Sequence, residues 1–268
     1  MRMLVALVGR SLRRHVGLIA GFATVLPAFQ VLLVVIARNL QREGLFSQFS
    51  ALVPPVLLEA FGGSVIASFS GLSAFGFFHP VVMLTLCCGA IYLASELAGD
   101  VEEGLVDLIA VRPVPRYLIV TRSAVVSGGV TALIVALMFV ANRAALAWLA
   151  PPGSPPAQTS AMLWVGANLL AVVWCFGTAG LALAAHVRRR ATAVGAIGLG
   201  AVVLYLLHFV AASWAPARPY GLASPFHYYE GMRTVIAMHD PRADIVALLA
   251  ASLALLGCGY VLYARRDL

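Results

Sequence analysis

Residues 96–122 read ELAGDVEEGLVDLIAVRPVPRYLIVTR, the most charged run in a chain that is otherwise largely apolar. The run holds the acids Glu96, Asp100, Glu102, Glu103 and Asp107 and the arginines Arg112, Arg116 and Arg122, and it lies between two long apolar segments. Asp100 with Glu103 three residues later has the spacing of a capping box. Val101, Leu105, Leu108 and Ile109 recur at i, i+4, i+7 and i+8, which makes one apolar stripe on a helix. Glu102, Glu103 and Asp107 lie off that stripe. Pro113 stops the helix, because the residue before a proline is pushed out of the α region, and Pro115 suits the first turn of the next one. Such a helix is about 16 Å long, too short for a bilayer core of about 30 Å. The pattern predicts an amphipathic helix at a membrane surface, its charged face turned outward.

The rest of the chain explains why a membrane is invoked. Of 268 residues, 62% are hydrophobic and only 11% charged, with mean hydropathy +0.95; a soluble domain carries about 25% charged residues. This predicts an all-α, polytopic protein with one membrane domain over 1–268. Its expected spans are about 16–37, 77–97, 123–142, 162–187, 191–212 and 245–263. Residues 1–15 place Arg2, Arg10, Arg13 and Arg14 among Leu4, Val5, Leu7, Val8 and Leu12, an amphipathic helix suited to an anionic membrane surface. The net charge of +7 reflects arginines at span ends, where topology rules put them, rather than a nucleic-acid partner. With the N-terminus inside, 12 arginines fall inside and 6 outside. The positive-inside rule therefore predicts cytoplasmic N and C termini.

Between the first two expected spans, residues 38–76 form a long external segment with a short helix between Pro55 and Gly62 and a glycine-rich run, 64–78, that could re-enter the membrane. Residues 213–243 form a second external segment. Here Ser224 and Pro225 are placed to start a helix running to about Met238. Gln30 is the only strongly polar residue of the first span. His208 is the only ionisable residue deep inside a span, a functional candidate by default, with a hydrogen bond to a neighbouring helix as the structural alternative. His79 before Pro80 reads as structural. Small-residue patches at 127–129, 177–180 and 195–200 permit close helix packing, within one subunit or across a dimer. The four cysteines, Cys87, Cys88, Cys175 and Cys258, all fall inside apolar spans and read as small core residues.

The charged run resembles the loop between the second and third spans in the permease subunits of ABC-2-type transporters. That family's loop has a pattern like E-x-E-x-G-T-L-x-L-L-x-x-P-V-S-R. Here the stretch reads Glu102-Glu103-Gly104-Leu105-Val106-Asp107-Leu108-Ile109, then Arg112-Pro113-Val114-Pro115-Arg116, with Leu105 for the usual Thr and Pro115 for the usual Ser. Ser224-Pro225-Phe226-His227-Tyr228-Tyr229 is similar to a second family stretch before the last span. In layout the resemblance covers nearly the whole chain.

The resemblance implies a permease of an ATP-driven exporter in the cell's inner (cytoplasmic) membrane. It implies a second permease subunit, identical or related, and separate ATP-binding subunits. The short helix becomes the coupling helix gripped by the ATPase. Glu102, Glu103, Gly104 and Asp107 are then the coupling residues, with Arg112 and Arg116 as orienting groups. Gly104 inside a helix would cost about 1 kcal/mol against Ala, which close approach of a partner backbone would explain. The sequence contains no lysine, so it lacks the residue a P-loop aims at the nucleotide phosphates. No catalytic residue, metal ligand or cofactor is expected in the chain. An ion-coupled transporter or channel, or an integral membrane enzyme, is the alternative class. Spans almost free of charge disfavour ion coupling, and no filter or hydrolase motif supports the other two.

Overall fold

The computed structural model describes residues 2–46, 48, 68–104 and 115–266. Among them the chain is helical, without a strand. Helix α1 (Arg2–Arg14) is separated by a turn at His15 from α2 (Val16–Arg42). The short α3 (Phe69–Ala74) and a 3-10 turn at Phe75–Phe77 lead into α4 (Pro80–Ala94), and α5 (Glu96–Glu102) follows directly. Then come α6 (Arg116–Leu149), α7 (Thr159–His186) and α8 (Arg190–Ser213). Short turns α9 (Arg218–Gly221) and α10 (Gly231–Val235) precede α11 (Arg242–Ala264).

Six of these stretches are long and apolar enough to cross a membrane: α2, Phe69–Ala94, α6, α7, α8 and α11. The chain is an all-helical, multi-pass membrane protein. The helices run longer than their predicted apolar cores because the ladder continues through polar ends. Thus α2 reaches Arg42 rather than residue 37, and α6 starts at Arg116 rather than 123.

Helix α7 is the central post, packed against α4, α6, α8 and α11. Small residues set those distances. A Cβ on Gly180 would stand 3.2 Å from Ile91 Cα of α4, and one on Gly177 would stand 3.2 Å from Ser127 Oγ of α6. A side chain on Gly259 of α11 would overlap Leu181. The patch at 177–180 is thus packing within one chain, whereas Gly195, Gly198 and Gly200 of α8 face open space. Ser127 donates to Ala90 O at 2.8 Å and reinforces the α4–α6 contact. Gln30 is fully buried in α2, its amide pressed on Gly76, with neither amide atom hydrogen-bonded among the described residues.

Two loop expectations change. The segment before α4 is helical from Phe69 to Phe77 and buried there except at Ser70 and Phe75, capped by Ser68, whose Oγ accepts from Gly71 N at 3.1 Å. His79 caps α4 through Nδ1, which accepts from Val81 N at 3.2 Å, as a structural histidine should. The proposed helix between Pro55 and Gly62 lies outside the described residues. The 213–243 segment does not form one helix from Ser224 to Met238, and part of it is buried among the helices. Ser224 does cap, its Oγ accepting from Phe226 N at 3.2 Å, but only a 3-10 turn, Pro225–Tyr228, follows. The chain breaks at Tyr229, restarts as α10, and turns again at Ala237, which has φ +57°.

Burial is what overrides the longer helix. Phe226 is fully buried, its ring 5.1 Å from that of Phe176 and 5.3 Å from that of Tyr205. Phe176 lies more than half-way along α7. Ser224 Oγ donates to Leu204 O at 2.9 Å, Asn168 Nδ2 to Tyr228 O at 3.0 Å, and Tyr229 OH to Phe77 O at 3.0 Å. Together these bonds hold an irregular backbone inside the bundle, where irregular backbone survives only when protein covers it.

Candidate functional site: a charged hub at one end of the bundle

The first three links of the bundle bring α1, α5 and the start of α6 to one end, and α8 begins and α11 finishes there too. Charge concentrates at that end. Helix α5 leaves α4 through Ser95, whose Oγ donates to Ile91 O at 2.7 Å. It buries Glu96, Leu97, Ala98, Gly99 and Asp100, and exposes Glu102 and Glu103. A buried acid needs a cation or donors, and each finds them on another helix.

Asp100 does not cap a helix, contrary to its spacing. It sits inside α5 and is 3% exposed; Oδ2 accepts from Arg122 Nη1 of α6 at 2.7 Å, and Oδ1 from Arg14 Nη1 of α1 at 3.2 Å. Arg122 is 4% exposed and also reaches Ser123 Oγ at 3.3 Å. Glu96 accepts from Ser11 Oγ, stands 3.7 Å from His15 Nε2, and has Arg14 at 4.0 Å. Burial pushes the Glu96 carboxyl up, but the His15 ring, the Arg122 charge and the Ser11 hydroxyl outweigh it and hold the group at about 2. Glu103 pairs with Arg14.

Glu102 ties in a further helix. Its Oε2 accepts from Arg190 N at 3.0 Å, so a carboxylate sits at the N-terminus of α8, where the helix dipole favours negative charge. The Arg190 guanidinium lies 3.7 Å over the Tyr92 ring and donates to Tyr92 O at 2.8 Å. Arg116 donates to Ala264 O at 3.1 Å and Arg266 O at 2.8 Å, while Arg266 donates to Val187 O at 2.9 Å. Arginines thereby satisfy carbonyls that the ends of α11 and α7 leave open.

Of the six residues singled out in the sequence, Glu102, Glu103, Gly104 and Arg116 gather at this end. Asp107 and Arg112, with the stripe Leu105–Leu108–Ile109, lie outside the described residues. Gly104 is not inside a helix. It follows the end of α5 with φ +67°, its N–H reaching Val101 O at 3.1 Å, and a Cβ there would touch nothing among the described residues. The left-handed conformation explains this glycine without a partner's backbone.

Local sequence patterns missed Ser11, His15, Glu96 and Arg190 as members of the hub. The available signal was their type: acids and arginines at the margins of apolar segments, where unpaired charge is costly. His208 is half-buried on α8, and its side chain makes no hydrogen bond among the described residues. No protein-family model matches the sequence, and no curated protein matches it.

Proposed function

We propose that the chain is the permease subunit of an ATP-driven exporter of the ABC-2 type, with the charged hub on the cytoplasmic side of the inner membrane. The observation that carries this reading is α5, a short helix continuous with one span, tied by ion pairs to α1 and α6 and by the Glu102–Arg190 N hydrogen bond to α8. A push on its exposed end is delivered to α1, α6 and α8 together, as a motor subunit outside the membrane requires. Glu102 and Glu103 lie at that end, beside residues 105–114, where Asp107 and Arg112 complete the coupling stretch. Charge there sets partner choice and register. The lysine-free sequence needs its ATP site on a separate P-loop subunit, and the open glycine face of α8 suits a second permease subunit.

The experiment is charge reversal at Glu102 and Glu103 in the tagged chain, followed by co-purification of the ATP-binding subunit from native membranes. The pair of substitutions should reduce the recovered ATPase several-fold while membrane insertion is unchanged. Undiminished recovery would remove the coupling role from these residues.

A further inference from the structure

Helix α1 presents three distinct sectors. Leu4, Leu7, Val8, Ser11 and His15 are its packed face, with Ser11 and His15 fully buried. Val5 and Leu12 lie at i and i+7 along one edge, and Val16, the first residue of α2, continues it past the turn at His15; all three are exposed, Val5 at 65%. Beside that apolar edge lies an arginine sector of Arg2, Arg10 and Arg13, each exposed. None of these three makes an ion pair among the described residues.

We propose that α1 is a docking surface for anionic phospholipid headgroups, and that its packed face carries that contact to α5. A helix joined by one turn to a membrane-crossing helix lies at the level of the span ends. An exposed apolar edge flanked by arginines there matches the boundary between acyl chains and headgroups. An acidic protein surface would complement the arginines but would leave Val5, Leu12 and Val16 in water. The arginine sector draws the helix toward a negative leaflet, on the order of fivefold in affinity per residue and a hundredfold for the three. The opposite face cannot move alone, because Ser11 bonds Glu96 and Arg14 bonds both Asp100 and Glu103. Lipid charge therefore biases the position of α5, whatever the partner at the exposed end of that helix.

The test uses the chain by itself in lipid nanodiscs of phosphatidylcholine, with or without phosphatidylglycerol, read by amide hydrogen exchange. Phosphatidylglycerol should slow exchange several-fold in both α1 and α5, and raised salt should reverse the effect. The R2Q/R10Q/R13Q variant should lose both responses. The Ser11→Ala and Arg14→Gln variants should keep the α1 response and lose that of α5. Exchange in α1 that ignores lipid charge would overturn the docking surface. A lipid response of α5 that survives in both coupling variants would overturn the transmission. Protection of α1 only when a soluble subunit is added would assign the arginines to a protein instead. Because no ATPase takes part in the nanodisc measurement, failure here leaves the exporter reading standing, and the reverse also holds.

Discussion

Asp100→Asn is the most informative single change in the hub. It keeps the shape of the side chain and removes its charge. Arg122, 4% exposed, then loses its directly bonded carboxylate at 2.7 Å and keeps Ser123 Oγ at 3.3 Å, an amide, and the more distant charge of Glu96. Breaking a buried pair from one side costs about 3–5 kcal/mol, since the remaining charge is left in a poor solvent. Arg122→Gln should cost less, because Asp100 retains Arg14 at 3.2 Å. The double variant D100N/R122Q removes both charges and should recover most of the loss, with a coupling energy of at least about 1 kcal/mol. The assay is unfolding of the purified chain in mixed micelles with increasing dodecyl sulfate, followed by circular dichroism. An Asp100→Asn cost below about 1 kcal/mol would refute the reasoning, because that is the size expected of a solvated surface pair.

Further outcomes rest on the same geometry. Glu96 is held at about 2 against an ordinary 4.5, so its contribution, about 3 kcal/mol, is complete above pH 4.5 and is lost as pH falls toward 2; Glu96→Gln should flatten that acid limb in the same unfolding assay. Gly104→Ala places a side chain at φ +67° and should cost about 1–2 kcal/mol, whereas Gly129→Ala, in a helix with open space, should cost nothing or stabilise slightly. Gly180→Val meets the backbone of Ile91 and should lower the yield of folded chain, while Gly198→Val on the open face of α8 should leave it unchanged unless a second subunit packs there. Phe226→Ala empties the slot between Phe176 and Tyr205 and should cost about 3–5 kcal/mol.

The spans were legible because twenty-residue apolar runs need no partner to be recognised, and their polar ends were not, because an apolar count stops before the helix does. Asp100 shows the main failure. Asp followed by Glu at three residues is a sound local signal for a helix start, yet the residue that decides its environment is Arg122, a full apolar segment boundary away. The same holds for Glu96, which reads as the edge of a span until Ser11 is brought beside it. At Ser224 the local signal was right about the cap and wrong about the helix. Burial of Phe226 and the bond from Asn168 to the Tyr228 carbonyl favour an irregular backbone that no propensity would choose. At Gly104 the cost counted against a helix interior does not arise, because the residue follows the end of α5 with positive φ.

The central claim is that this chain delivers another protein's ATP hydrolysis to the membrane. The direct measurement is purification of the tagged, full-length chain from detergent-solubilised native membranes, with ATPase activity assayed on the eluate. The account predicts a co-purifying P-loop protein in about equal amount to the chain, with vanadate-sensitive hydrolysis that falls when Glu102 and Glu103 are reversed. A chain that elutes alone, folded and without ATPase activity, would contradict it.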